Sequence, residues 1–176
     1  MPWDNTEGPA VEPEAAVAEA VRVADDGLAR GEMPIGAVVF AGEDVIGRAF
    51  TQEQSLGRRI VHADLLAMIA ADEHRGFDRS AGPLTLAVNL EPCLMCLGAA
   101  ITLGVERVFY GLASPNDGGV ELLAQWRPPV EQQFFRRPRE IRGGFQGDAV
   151  RRQFAGYAEG SGPAGMRAWA RELAGG

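Results

Sequence analysis

Apolar positions change their period several times along this chain, and each change marks an element. Behind Pro13, Val17, Val21, Ala24 and Leu28 recur at spacings of four, three and four. This predicts an amphipathic helix that opens on the proline and stops at Gly31. Ile35 to Phe40 is a β-branched apolar run, followed by Ala41-Gly42-Glu43-Asp44 and a second short run at Val45 and Ile46, the pattern of a hairpin. A polar stretch from Thr51 to Arg59 precedes a helix that starts near His62, shows Leu65, Leu66 and Ile69, and ends at Gly76. Pro83 then introduces Leu84 to Leu90, an unbroken apolar run typical of a strand covered on both faces. A further helix opens at Pro92, carries Leu94, Leu97 and Ile101, and closes at Gly104, after which Val105 to Tyr110 reads as a strand.

The order β-β-α-β-α-β, with helices too long for hairpin turns, requires parallel strands joined by crossovers. The expected fold class is therefore α/β: a three-layer α/β/α sandwich with a mixed, mostly parallel central sheet of about five strands. The signal weakens beyond Gly111, where the Pro- and Arg-rich stretch from Arg127 to Arg142 has room for one more short strand. Val150, Phe154 and Tyr157, then Met166, Trp169 and Leu173, predict two closing helices. Residues 1–12 are rich in Pro, Gly and acidic side chains with no apolar period, and are expected to form a flexible tail. Residues 13–176 are of a length suited to a single domain.

Composition narrows the setting. The chain is 46% hydrophobic and 23% charged, and no stretch nears the roughly 20 apolar residues that span a bilayer. Its acidic start has no basic, apolar secretory pattern. The expectation is a cytoplasmic protein with no membrane partner. Net charge is −7, but residues 1–125 hold 8 Arg against 19 acidic residues and residues 126–176 hold 9 Arg against 5. The acidic body argues against nucleic acid as a partner. The Arg-rich end reads first as a solvated face that balances that body.

Chemistry concentrates at two places. Pro92-Cys93-Leu94-Met95-Cys96 sets two thiols at i and i+3 at a helix start, where the dipole and free N–H groups favour thiolate. That spacing serves a redox dithiol as readily as a metal site. His62 separates the two: it also opens a helix, and the intervening strand brings both helix N-termini to the same end of the sheet, where open α/β folds bind ligands. One His and two Cys suit zinc with a fourth position left open. His74, near the far end of its helix, reads as structural.

His62-Ala63-Asp64 followed by Glu91-Pro92-Cys93-Leu94-Met95-Cys96 resembles the zinc signature of the cytidine deaminase superfamily, H-x-E then P-C-x-x-C. Met33 to Val39, Val45 to Arg48, Leu90 to Gly98 and Val105 to Gly111 are similar to the branch with bacterial tRNA adenosine deaminases and guanine deaminases. The resemblance implies Zn²⁺ on His62, Cys93 and Cys96, a proton shuttle at Asp64, and a backbone N–H of Ala63 that meets a ring acceptor. Two positions depart from the pattern. The shuttle is Asp64 where the family has Glu, and the substrate-reaching Asn falls at Thr51.

The resemblance together with the acidic body leads to an expected hydrolytic deaminase of a small nucleobase, nucleoside or related amino-heterocycle, without nucleic acid, acting as a homodimer. Two alternatives stand beside it: a tRNA adenosine deaminase, and an inert zinc-binding interaction module in which Asp64 closes the metal's fourth position. Phe145, Phe154, Tyr157 and Trp169 are expected to pack a core, with a lid over a planar substrate as the rival reading.

Overall fold

The structure, a computed structural model, describes residues 9–176 except 79, 81, 133 and 135. The first eight residues of the expected tail lie outside the described residues. Its remainder is tied down: the Val11 N–H donates to the Gly42 carbonyl at 3.2 Å and the Val11 carbonyl accepts from Arg107 at 3.2 Å. Among the described residues no helix is long and apolar enough to cross a membrane.

Helix α1 (Pro13–Leu28) precedes the hairpin β1 (Gly36–Ala41) and β2 (Asp44–Phe50). A one-turn helix α2 (Glu53–Leu56) leads to α3 (Ala63–Arg75), then β3 (Leu84–Leu90), α4 (Leu94–Leu103) and β4 (Arg107–Leu112). The chain continues through α5 (Val120–Gln125), a 3-10 turn at Val130–Gln132, β5 (Glu140–Arg142), α6 (Gly147–Ala158) and α7 (Ala164–Gly175). The five strands lie in the order β2-β1-β3-β4-β5. β1 pairs antiparallel with both β2 and β3, whereas β3, β4 and β5 pair parallel. The expected mixed sheet in a layered α/β fold is what forms.

Alternation along the strands divides the core. Ala37, Val39, Leu86, Val88 and Val108 face Ala63, Ala67, Met68, Leu97 and Ala100 of α3 and α4. Val38, Phe40, Ala87 and Phe109 face Ala16, Val17, Ala20 and Val23 of α1. β3 is buried along its whole length, as its unbroken apolar run requires. A third cluster joins Leu90 and Leu112, the last residues of β3 and β4, to Phe154, Tyr157, Ala170 and Leu173 of the closing helices. That contact sets α6 and α7 at the end of the sheet from which the helix starts emerge.

Three expectations change. α3 turns Ala67, Met68 and Ala71 to the sheet, while Ile69 is 47% exposed. The cause lies on β2: a Cβ on Gly47 would stand 2.2 Å from the Ala67 carbonyl oxygen, so strand and helix backbones touch and only small side chains fit between them. The polar stretch after β2 is not a plain loop but holds α2. α5 and the 3-10 turn fill the region where apolar periodicity fades.

Gly47→Ala is expected to push α3 off β2, destabilising the fold by about 1–3 kcal/mol. Gly98→Ala, on the open face of α4 with nothing within 4 Å of the new methyl, is expected to stabilise instead. Thermal unfolding of both variants beside the wild type checks the pair; equal midpoints in Gly47→Ala and wild type would contradict the close approach.

Candidate metal centre and substrate cleft

His62 is the N-cap of α3 and Cys93 the N-cap of α4, both in extended backbone conformation. Neither helix start carries a side-chain cap, so the orphan N–H groups of the first turns face the same small volume. Cys96 sits one turn into α4 and is fully buried. The Nδ1 atom of His62 lies 3.6 Å from the Cys93 sulfur and 3.8 Å from the Cys96 sulfur. The ligand atoms of the three residues fall within 4.8 Å of one another, and the group they form among the described residues does not include Asp64. The three residues are positioned to bind a metal, and one imidazole with two thiolates is a donor set that zinc favours.

The electrostatics agree with ligand chemistry. Hydrogen bonds from Cys96 and then His62, against the cost of burial, hold the Cys93 thiol down at about 4, so it is a thiolate at neutral pH. Its hydrogen bond to His62 raises that imidazole to about 9. Sharing with the Cys93 thiolate and burial push the Cys96 thiol up, and it donates to the Asp64 carboxylate at 2.9 Å. Burial raises the Asp64 carboxyl above the usual carboxylate range. A metal cation displaces the protons held in this cluster, so binding releases protons and weakens as pH falls.

The cluster forms one wall of a cleft of about 180 Å³. Ile35, Val88 and Leu90 supply apolar surface, Thr51, Glu53, Glu91 and Asp117 polar groups, and Met166 and Trp169 of α7 another part of the lining. Ala63 and Asp64 also line it. Sites for drug-sized ligands run to roughly 300–1,000 Å³, so this one is of a size for a single planar nucleobase rather than a larger ligand. The loop after β4 closes over Cys93. Glu91 accepts from the N–H groups of Ser114 at 2.9 Å and Val120 at 3.1 Å, and Gly119 donates to the Pro92 carbonyl at 2.9 Å.

The structure thus brings together His62, Ala63, Asp64, Cys93, Cys96 and Thr51. Thr51 is buried, and its hydroxyl lies 3.3 Å from both the Glu53 carboxylate and the Val61 carbonyl. Sequence reasoning missed Glu53, Asp117 and Met166 as cleft residues, since each lies on a segment without periodicity or far along the chain. The four late aromatics divide. Phe154 and Tyr157 are core, Phe145 packs its edge on Phe109, and Trp169 both meets Phe154 and lines the cleft.

Residues 11–112 match the cytidine and deoxycytidylate deaminase zinc-binding region. A tRNA-specific adenosine deaminase of Streptococcus pyogenes serotype M1 is 36% identical over 107 residues, 61% of this chain and 62% of that protein. The chain thus matches less than two thirds of that relative's length. A structure from work on A-to-I editing by tRNA:A34 deaminases superposes with a TM-score of 0.66 at 26% identity, over 79% of this chain and 98% of the other. A guanine deaminase from Nitrosomonas europaea shares the fold, with a TM-score of 0.63 at 22% identity over 97% and 89% of the two chains.

The tRNA-specific relatives overturn the expectation that nucleic acid is excluded as a partner; which ring the cleft takes is not fixed by relatives that include both tRNA adenosine deaminases and guanine deaminases. That expectation rested on the acidic charge of residues 1–125 and on Thr51 at the position of the family's Asn; a charge summed over a long segment says little about the few side chains around one cleft. Arg58 and Arg59 are exposed on the turn that leads into His62, although the body as a whole is acidic. With its zinc region matched over more than half its length, the chain belongs to the cytidine and deoxycytidylate deaminase family of zinc-dependent hydrolases.

Proposed function

We propose that this protein deaminates an adenosine in tRNA, by adding water to the ring carbon that bears the amine and releasing ammonia. The observation that carries the reading is a cleft sized for one nucleobase, walled by the His62, Cys93 and Cys96 cluster, in a chain whose relatives include tRNA adenosine deaminases. A base splayed out of a tRNA loop fits such a cleft while its ribose and phosphates stay outside. Arg58 and Arg59, exposed on the turn that leads into His62, supply positive charge for those phosphates.

His62, Cys93 and Cys96 would hold the zinc. Zinc held there would supply a nucleophile at neutral pH by lowering the pKa of water. Asp64 would take the proton of the attacking water and give it to the ring nitrogen and then to the departing amine. Its carboxylate is one methylene shorter than the Glu of the family signature. Support for its role comes from its placement: the oxygen that accepts from Cys96 at 2.9 Å already lies against the ligand cluster. The Ala63 N–H, in the first turn of α3, donates to a ring acceptor. Ile35, Val88 and Leu90 exclude water from the base, and Trp169 offers an aromatic surface at the cleft wall.

Elemental analysis is expected to find about one zinc per chain, with Cys93→Ser and Cys96→Ser losing both metal and thermal stability. A metal-free, fully folded wild type with a reversible Cys93–Cys96 disulfide would establish the dithiol alternative.

Asp64→Asn is expected to keep zinc and fold while turnover drops by at least about 100-fold, within the range that general acid–base groups contribute. Single-turnover rates of zinc-loaded wild type and variant measure this, and equal rates would remove Asp64 from the proton path.

Incubation with bulk tRNA is expected to generate inosine, at a rate that Arg58→Glu and Arg59→Glu lower while reducing the salt dependence of binding. Ammonia release from free purines with no inosine in any tRNA would overturn the tRNA reading and leave the deaminase standing.

A further inference from the structure

The imidazole of His62 has two nitrogens, and the structure gives each a different neighbour. Nδ1 faces the two cysteine sulfurs, while Nε2 points away from them and lies 3.8 Å from Oε1 of Glu53. The other carboxylate oxygen, Oε2, accepts from the buried Thr51 hydroxyl at 3.3 Å. Histidines that ligate metals commonly donate their outer N–H to a carboxylate, which sets the tautomer, orients the ring and raises its basicity. At 3.8 Å the Glu53 carboxylate stands at ion-pair distance from the imidazole, and Thr51, Glu53 and His62 line up in the order of such a chain, aimed at the point where Nδ1 meets the cysteines.

Glu53 is also held in place from behind. It opens the single turn of α2, whose next two N–H groups, on Gln54 and Ser55, donate to the carboxylate of Glu32 at 3.1 and 2.8 Å. Glu32 is 1% exposed, so both its oxygens are spent on that turn in the interior. The Gln54 side chain in turn donates to the Tyr157 hydroxyl of α6 at 2.5 Å. A one-turn helix would not hold its shape alone. Here a buried carboxylate and a closing helix pin it, and with it the position of Glu53.

We propose that Glu53 is a positioning residue of the metal centre: its carboxylate holds the outer nitrogen of His62, with Thr51 buttressing it, so that the inner nitrogen faces the metal. Thr51 then serves the metal side of the cleft rather than the substrate. The assignment rests on the metal-binding part of the proposed function and is independent of which ring the cleft takes.

The test is competition for zinc between the protein and a chromophoric chelator at fixed pH, for wild type, Glu53→Ala, Glu53→Gln and Thr51→Val. Glu53→Ala is expected to bind zinc about 10–100-fold more weakly. Glu53→Gln, which keeps an acceptor of the same size, recovers part of that loss, and Thr51→Val loses less than Glu53→Ala. Imidazole ¹H–¹⁵N spectra supply a readout that a merely structural role would not move. The chain has two histidines, and exposed His74 serves as the internal reference. The Nε2 proton of His62 is expected downfield in zinc-loaded wild type and to move upfield in both Glu53 variants. If Glu53→Ala does not fold, the Glu53→Gln resonance decides alone. Affinity for zinc within about threefold of wild type in Glu53→Ala, or an unmoved His62 resonance in a folded Glu53 variant, overturns the assignment. A wild type that takes up no zinc overturns the metal centre itself, and with it both this assignment and the proposed function.

Discussion

The metal-ligating cluster depends on one constraint of the sheet: β2 and β3 run in the same direction because β1 lies between them and is antiparallel to each. Each strand feeds a helix, and so the N-termini of α3 and α4 emerge at the same end. His62 and Cys93 are the caps of those two helices. Orphan N–H groups and aligned dipoles there favour thiolate and any anionic group in the cleft. Reversing either strand would carry one ligand to the opposite end of the molecule.

Close approach keeps the cluster compact. Gly47 lets α3 rest on the backbone of β2, and Gly119 lets the loop after β4 rest on the start of α4, where a Cβ would stand 2.6 Å from the Leu94 nitrogen. Buried polar groups hold the periphery to this core. Asn89, at 0% exposure on β3, accepts from Gly36 at 2.9 Å and donates to Pro34 at 2.6 Å and to Gln153 of α6 at 3.0 Å. Gln153 passes on to the Val21 carbonyl at 2.8 Å and the Asp25 carboxylate at 2.7 Å in α1. Each unpaired member of such a network would cost about 1–3 kcal/mol, so the set behaves as a unit. It fixes α6, and through α6 the helix α7 that brings Met166 and Trp169 to the cleft.

The two sides of the cleft have different origins. The metal side is local in the sequence: His62 with Ala63 and Asp64, then Pro92 to Cys96. The opposite side is assembled from Ile35 before β1, Asp117 in the loop after β4, and α7 near the end of the chain. Two short stretches therefore set the metal side, whereas the shape of the opposite wall depends on segments remote in the sequence.

Periodicity in the chain sufficed for α1, the β1–β2 hairpin, β3, α4 and the two closing helices, because their apolar residues repeat at the spacing of their own hydrogen-bonding pattern. The His62, Cys93 and Cys96 ligand set was legible for a related reason: metal geometry demands particular side chains at short spacings beside helix starts. What faces what was not legible. α3 buries Ala67 and Ala71 and leaves Ile69 exposed because a glycine on another strand draws the backbones together. α2 has no apolar stripe and stands on the carboxylate of Glu32, about 20 residues earlier in the chain. Net charge, a sum over many residues, does not say which charges are exposed on the turn that leads into His62, where Arg58 and Arg59 lie. Thr51 could be aligned with a substrate-contacting position, but its neighbour two residues on, and the imidazole beyond it, are brought together only by the folded chain. An ion pair between residues 9 apart, or a hydrogen bond between residues 53 apart, leaves no period to read, since its geometry is set by the packing of every element between them.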